Sequence, residues 1–315
     1  MTNDETGRYY KHLIALTAEM KPLVTAVVHP VDVLSICGAL EAAAQQLIIP
    51  VLVGPEAKIR QAAKEAGLSL ADCELVDTKH SHAAAERAVE LVREGRVEAI
   101  MKGKIHTREL LLPVMSRTSG LRTERRMSHV FALDPPQYHK PLFLTDAVVN
   151  IAPNLAQKKD IVQNAIDCFR LLTGKPPKVA ILSATEDVDE KIQSTLDAAA
   201  LCKMADRGQI TGGILDGPLG MDNAISVAAA QAKGIHSEVA GDADILVMPD
   251  IEAGNILYKQ MRYLSGIDGA GIVLGARVPV ILASRASEVH TRKASAALAL
   301  IVCRRGAQFA DFANP

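Results

Sequence analysis

The stretch MSHVFALDPPQYHKPLFLT, residues 127–145, interrupts an otherwise regular pattern and decides how the chain is partitioned. Two apolar runs, Met127 to Leu133 and Leu142 to Thr145, are joined by Asp134-Pro135-Pro136-Gln137-Tyr138-His139-Lys140-Pro141. Each proline fixes φ and removes a backbone donor, so this joint has no room for a helix. The segment predicts a hairpin or a crossing between domains.

On both sides of it, short β-branched runs recur: Leu23 to Val28, Leu47 to Val53, Val97 to Met101, Val179 to Leu182, Ile210 to Leu215, Ile245 to Met248, Gly271 to Leu274 and Val278 to Ala283. Runs of this length and composition read as buried strands. Ala-rich segments with helical spacing separate most of them, among them Val33 to Gln46, Ala57 to Ala66, Ala83 to Arg93, Leu155 to Leu172, Val188 to Ala205, Ala224 to Lys233 and Ala294 to Cys303. Gly67, Gly95 and Gly234 follow three of these segments, where a helix C-cap wants a left-handed residue. Alternation of strand and helix predicts an α/β fold of the doubly wound kind.

The 315 residues exceed what one compact core fills, so two domains with a cleft are expected. The boundary falls at the proline joint. The last strand and helix need an existing sheet to complete, which places a return to the first domain near Gly275. The expected division is 1–135 with 275–315 for the first α/β domain and 136–274 for the second.

Net charge of −1 and a pI near 6.8 lack the footprint of a nucleic-acid or anionic-membrane binder. The N-terminus has no apolar core of a signal peptide, and no run of about 18 apolar residues occurs. A cytoplasmic protein is expected. The five cysteines, Cys37, Cys73, Cys168, Cys202 and Cys303, form no C-x-x-C pair and suggest neither a disulfide framework nor a thiolate metal site. His80-Ser81-His82 reads as a solvated helix start rather than a metal ligand set.

Several catalytic signatures are missing. Gly174-Lys175-Pro176-Pro177 lacks the second glycine and the hydroxyl of a P-loop, no G-x-G-x-x-G follows the first strand, and neither G-x-S-x-G nor H-E-x-x-H occurs. What remains is polar groups at strand ends, where open α/β sheets place ligands. Lys102 and Gly103 end one strand and Thr107 follows; the glycine allows close backbone approach to a ligand and the lysine supplies a point charge. Gly120-Leu121-Arg122-Thr123 precedes a strand opened by Ser128 and His129, with Arg125 and Arg126 read as solvated. Asp146 and Asn150 follow the strand ending at Thr145, either orienting a ligand or capping the turn that follows. Asp216 closes another strand, where a turn is the plainer reading. Asp250, Glu252 and Asn255 cluster around Gly254 at a further strand end. Ser284 and Arg285 follow Val280-Ile281-Leu282-Ala283, and a guanidinium there suits a phosphate anion because its donor fork never loses its charge.

In register, MKGKIHT (101–107), GLRTERRMSHV (120–130), LTDAVVNIAPN (144–154), DAAALCKMADRGQITGGILDGPLGMDNA (197–224), AGDADILVMPDIEAGNILYK (240–259) and Ser284-Arg285 resemble the phosphate acetyltransferase and phosphate butyryltransferase family, in wording closer to the butyryl branch. The resemblance runs from about Val24 to Leu300. It implies a fold like that of isocitrate and isopropylmalate dehydrogenases, with two α/β/α domains, a cleft between them and a homodimer through the second. It also implies reversible transfer of a short acyl group, acetyl to butyryl or branched, between coenzyme A and inorganic phosphate. Coenzyme A is then a substrate, and no tightly bound cofactor or metal is expected.

On this resemblance Ser284 and Arg285 bind substrate. Lys102, Gly103, Thr107, Arg122, Ser128, His129, Asp146, Asp216, Glu252 and Asn255 line the substrate site. The acetyltransferases' proposed base, an Asp seven residues after the Ser, falls on Thr291, which cannot serve. Their second arginine falls on Leu112. Asp250, Glu252 or His129 is left as the base, or phosphate itself assists; Asp250 is taken as catalytic, and Leu111 and Leu112 are expected to make an apolar acyl wall. The alternatives are a decarboxylating dehydrogenase of the same fold, whose Asp cluster and nucleotide loop are missing, and a non-catalytic sensor of acyl phosphate or coenzyme A.

Overall fold

A computed structural model describes residues 8–118, 120–282 and 289–313. The strands are β1 (Leu23–Val28), β2 (Ile48–Gly54), β3 (Glu74–Asp77), β4 (Ala99–Lys102), β5 (Ser128–Asp134), β6 (Leu142–Thr145), β7 (Lys178–Leu182), β8 (Ile214–Leu219), β9 (Ile245–Val247), β10 (Asp268–Leu274) and β11 (Val280–Ile281). The helices are α1 (Arg8–Leu16), α2 (Val33–Ala44), α3 (Glu56–Glu65), α4 (Ser81–Arg93), α5 (Thr107–Val114), α6 (Leu155–Thr173), α7 (Gln193–Asp206), α8 (Met221–Ile225), α9 (Val227–Ala232), α10 (Ile251–Tyr263) and α11 (Val289–Ala313). The fold is α/β. It divides into two compact units, Tyr10–Arg125 with Ala270–Pro315, and Met1–Tyr9 with Arg126–Gly269.

In the first unit the strand order is β3-β2-β1-β4-β11-β10. All neighbours are parallel except the β11–β10 pair. The chain winds outward from β1 through β2 to β3 and then returns to β4 on the other side of β1. Right-handed crossovers therefore put α2 and α3 on one face and α4 on the other. Every residue of β4 is buried, as befits a strand covered on both faces. The strand order reverses between β1 and β4, and the carboxyl ends of strands at such a switch point are the usual ligand position in open α/β sheets.

In the second unit the order is β5-β6-β9-β7-β8, with β5 antiparallel to β6 and the others parallel. The proline joint is a hairpin: Val130 pairs with Thr145 and Leu133 with Leu142. β5 therefore begins where β6 ends, and its first residues stand at the carboxyl end of the parallel strands. Phe131, Leu144, Leu246, Ala180 and Met261 belong to the core of this unit. α6 carries both of its terminal signals, a capping box between Asn154 and Gln157 and a left-handed Gly174 at φ 71°.

Local chemistry explains where the chain departs from the sequence reading. Gly67, Gly95 and Gly234 have φ of 68°, 71° and 68°, as expected of C-caps. The strand read at Ile210 to Leu215 starts later, at Ile214, and runs to Leu219, because Gly212 is left-handed at φ 83° and breaks the extended run. The helix expected over Ala224 to Lys233 is two helices, since Ser226 is extended and caps α9 through Ala229 N–H. The helix expected from Val188 begins at Gln193, Asp189 being tied instead into a turn with Thr195. β3 was not expected: Glu74-Leu75-Val76-Asp77 is a polar edge strand without a buried face.

Candidate functional site

In the first unit, Val28 and Lys102 pair in register at the ends of β1 and β4. Gly103 N–H donates to the Val28 carbonyl at 2.9 Å and Lys104 N–H to the His29 carbonyl at 2.9 Å. The His29 ring closes the loop through Nδ1 to the Lys104 carbonyl at 2.8 Å, with the residue left-handed at φ 56°. A Cβ on Gly103 would lie 2.5 Å from the Val28 oxygen and 2.8 Å from the carbonyl carbon and oxygen of His29. Gly103 thus lets two strand ends meet, whereas the sequence had suggested close approach to a ligand. Lys102 itself is buried, and its ammonium reaches the Gly103 carbonyl at 3.4 Å.

α11 braces this corner. Arg292, 2% exposed, donates from Nη1 to the Lys102 carbonyl at 3.1 Å, and its side chain fills the space left by Gly38 on α2. Burial pulls the pKa of Arg292 down, with the Asp32 carboxylate opposing; Asp32 also caps α2 through Ser35 N–H at 2.8 Å. Nothing in the sequence marks this role, because a cation read on an Ala-rich helix resembles any solvated residue. Thr291 is buried, and among the described residues its hydroxyl oxygen has no hydrogen-bond partner.

Thr107 is the first residue of α5 and is partly buried. Arg122 is exposed and forms an isolated antiparallel bridge with Ala276, while Thr123 Oγ1 donates to the Gly275 carbonyl at 2.8 Å. Leu112 is 57% exposed but Leu111 is buried in the core, so only one of the two can face a ligand. His80 caps α4 by accepting from Ala83 N–H, while Ser81 and His82 both meet Glu109, in keeping with a helix start. Ser284 and Arg285 lie outside the described residues.

The second unit gathers Ser128, His129, Asp146, Asn150, Asp250 and Asn255 at the carboxyl ends of β6 and β9. Asp146, 3% exposed, accepts on Oδ1 from Val148 N–H at 2.8 Å and Val149 N–H at 3.0 Å. Its Oδ2 accepts from the Asn150 backbone at 3.2 Å and from Asn150 Nδ2 at 2.7 Å. Burial pushes its carboxyl pKa up, and these bonds pull it partly back. Asn150 Nδ2 also donates to the Met127 carbonyl at 2.9 Å, and Asn150 Oδ1 accepts from Arg126 Nε at 2.7 Å. Arg126 is therefore partly buried and anchored, not solvated as its place in a basic run had suggested.

Ser128 Oγ accepts from Asn164 Nδ2 at 2.8 Å. His129 is buried, its Nδ1 without a partner among the described residues, and tilted against Phe131 at a ring separation of 4.2 Å; desolvation holds its pKa down at about 3. Its imidazole is neutral at physiological pH. Asp250 caps α10, accepting on Oδ1 from Ala253 N–H at 2.8 Å, and Asn255 Nδ2 donates to the Ala147 carbonyl at 3.0 Å. Gly254 packs so closely on Asp146 and Ala147 that a Cβ there would lie 2.8 Å from the Asp146 carbonyl oxygen. Glu252 is exposed. Asp216 lies inside β8 rather than at its end, where a register irregularity falls between β7 and β8, and its Oδ1 accepts from Gly217 N–H at 2.8 Å.

A family model described as "Phosphate acetyl/butaryl transferase" matches residues 83–300. A phosphate acetyltransferase from Rhizobium meliloti is 56% identical over 303 residues, 96% of each chain. The chain belongs to the phosphate acetyl/butyryl transferase family. It is a phosphate acyltransferase, and neither the dehydrogenase nor the sensor alternative is favoured. A phosphate butyryltransferase from Clostridium acetobutylicum is 41% identical over 284 residues, 90% of this chain and 94% of the other. Overall identity to these two thus leans to the acetyl side, although short motifs had read as closer to the butyryl branch.

A branched-chain phosphotransacylase from Enterococcus faecalis V583 superposes with a TM-score of 0.76 at 29% identity, covering 89% of this chain and 99% of that one. A 4-hydroxythreonine-4-phosphate dehydrogenase from Klebsiella pneumoniae gives 0.54 at 14% identity, over 89% of this chain and 99% of the other. The second likeness is one of fold alone. It agrees with the dehydrogenase-like architecture expected from sequence.

Proposed function

We propose that the chain interconverts acetyl-CoA plus phosphate and acetyl phosphate plus coenzyme A, with longer or branched short acyl groups accepted less well. The 56% identity to a phosphate acetyltransferase over 96% of both chains carries this reading. A phosphate oxygen attacks the thioester carbonyl carbon, the C–O bond forms, the C–S bond breaks, and the sulfur departs as thiolate. The proton left on phosphate ends on the thiol, whose ordinary pKa is about 8.5.

Fixed cations suit this chemistry because they hold phosphate and the developing oxyanion without reorganising. Lys102 and Arg122 in the first unit, with Arg285, are the proposed cations, and Ser284 is a binding hydroxyl. The placement of Lys102 at the β1/β4 reversal supports that role. Thr107 and the backbone at Gly103 are further proposed substrate-binding positions of the first unit. Ser128, His129, Asp216, Glu252 and Asn255 are proposed substrate-binding positions of the second unit, and Asp146, whose two carboxylate oxygens are taken up by backbone N–H groups and Asn150, holds the turn beside them. Asp250 is the proposed base: only Oδ1 is used in capping, and among the described residues Oδ2 has no hydrogen-bond partner. His129 is unsuited to that task, since a pKa of about 3 leaves it a poor proton acceptor at neutral pH.

Coenzyme A is a freely exchanging substrate in this scheme. A homodimer through the second unit is proposed on its exposed apolar groups, Ile256 and Tyr263 seven residues apart on α10, with Leu264 and Ile151. A cytoplasmic location accords with five free cysteines. Phosphorus NMR of enzyme with phosphate and a series of acyl-CoA thioesters tests the reaction. An acyl phosphate resonance growing fastest with acetyl-CoA is expected; none from acetyl, propionyl, butyryl or branched thioesters would exclude it.

A further inference from the structure

Arg126 is held at both its main chain and its side chain. Its backbone N–H donates to Asp160 Oδ2 at 2.9 Å and its carbonyl accepts from Asn164 Nδ2 at 2.9 Å. Its Nε donates to Asn150 Oδ1 at 2.7 Å. The amide of Asn150 has only one orientation that works. Both Nδ2 hydrogens are taken by acceptors, Asp146 Oδ2 and the Met127 carbonyl, so the amide oxygen must face Arg126. Asp146, in turn, is fixed by the backbone N–H groups of residues 148, 149 and 150.

A guanidinium has five N–H donors, and Nε uses one. Among the described residues nothing accepts from the two terminal amino groups of Arg126, and no carboxylate forms an ion pair with it. The side chain stands two residues before β5, beyond the carboxyl end of β6, since Val130 pairs with Thr145. A partly buried cation with an open planar fork at that end of a parallel sheet matches a phosphoryl oxyanion better than it matches water.

We propose that Arg126 binds a phosphoryl group of a substrate, with Asn150 and Asp146 as positioning residues that aim its fork. The proposal rests on the acyl-transfer reading for the identity of the substrates but not for the anion site itself. Two sources share the chemistry: phosphate or acyl phosphate, and the phosphates of coenzyme A. Because the guanidinium is already oriented, little side-chain freedom is lost on binding.

The test uses the whole enzyme with Arg126→Ala, Arg126→Lys and Asn150→Ala. A charge-assisted bond of about 1.5–3 kcal/mol corresponds to a rise in KM of roughly 10- to 150-fold. Arg126→Ala is expected to raise one KM by that much, with thermal unfolding near wild type and partial recovery on adding guanidinium. Arg126→Lys, which keeps the charge but loses the fork, should fall between, and Asn150→Ala should raise the same KM by a smaller factor. A rise for phosphate alone assigns the phosphate or acyl phosphate. A rise for coenzyme A that disappears with dephospho-CoA assigns the ribose phosphate; one that persists assigns the diphosphate.

Inorganic phosphate binding, read by thermal shift, supplies an arm independent of turnover. If the wild type shows no acyl transfer, the functional reading fails while a phosphate shift abolished by Arg126→Ala still upholds the anion site. KM values within twofold of wild type for both substrates in folded Arg126→Ala overturn the proposal. Should that variant not fold, unchanged KM values in Arg126→Lys and Asn150→Ala do the same.

Discussion

Gly103→Ala is the sharpest test of how the first unit presents Lys102. The added methyl would sit 2.5 Å from the Val28 carbonyl oxygen and 2.8 Å from two atoms of the His29 carbonyl, all of them backbone. No rotamer change relieves these contacts, so the ends of β1 and β4 must part. Overpacking of this kind costs about 1–3 kcal/mol, and loss of the Gly103 to Val28 hydrogen bond adds about 1 kcal/mol. The expected destabilisation is therefore about 2–4 kcal/mol. Because Lys102 adjoins the displaced residue, kcat should fall at least about tenfold, by roughly 1.4 kcal/mol in the barrier. Urea denaturation followed by circular dichroism, with acyl transfer measured alongside, reads both effects. Gly95→Asn is the control: the glycine is left-handed at φ 71°, a Cβ added there would meet nothing within 4 Å, and Asn tolerates that conformation. Wild-type stability and turnover in Gly103→Ala would refute the proposed packing of the strand ends and its bearing on Lys102.

Asp197→Ala strands the Lys158 ammonium, which pairs with it at 2.8 Å between α6 and α7 with both side chains no more than 10% exposed; a loss of about 3–5 kcal/mol is expected by urea denaturation. Thr291→Val replaces a buried hydroxyl that lacks a partner among the described residues, so stability should be equal or higher by about 1 kcal/mol, with acyl transfer retained. His129 is neutral when folded and has a pKa of about 3 against an ordinary 6.5. The unfolded chain therefore binds a proton that the native state refuses as pH falls below about 6.5. Stability should be intact above that pH and about 2 kcal/mol lower from this group by pH 5. His129→Phe should flatten that slope in pH-dependent melting.

Much of the fold was legible because its signals were local. The runs at Leu23–Val28 and Leu142–Thr145 became strands with the same bounds, and three glycines capped helices as read. The proline joint could not form a helix and formed a hairpin. β3 was missed because an edge strand needs no buried face, and its Glu74 and Asp77 hide the pattern that apolar periodicity detects.

The placement of the candidate site residues was legible in part. Lys102, Asp146 and Asp250 stand at strand ends, as their positions after apolar runs implied. Arg126 and Arg292 were not recognised. What distinguishes them is a long-range partner, Asn150 for one and the Lys102 carbonyl and Gly38 for the other. No spacing rule relates residues so distant in sequence. Gly103 was noticed for the right property, freedom from a side chain, but its neighbour is backbone across the β1/β4 pair rather than ligand.

Release of free thiol from acetyl-CoA by the purified chain, followed with and without inorganic phosphate, tests phosphate-dependent acyl transfer directly. Release that requires phosphate and saturates with it is expected, with one acetyl phosphate formed per thiol. Release independent of phosphate, or no release with any short acyl-CoA, would contradict it.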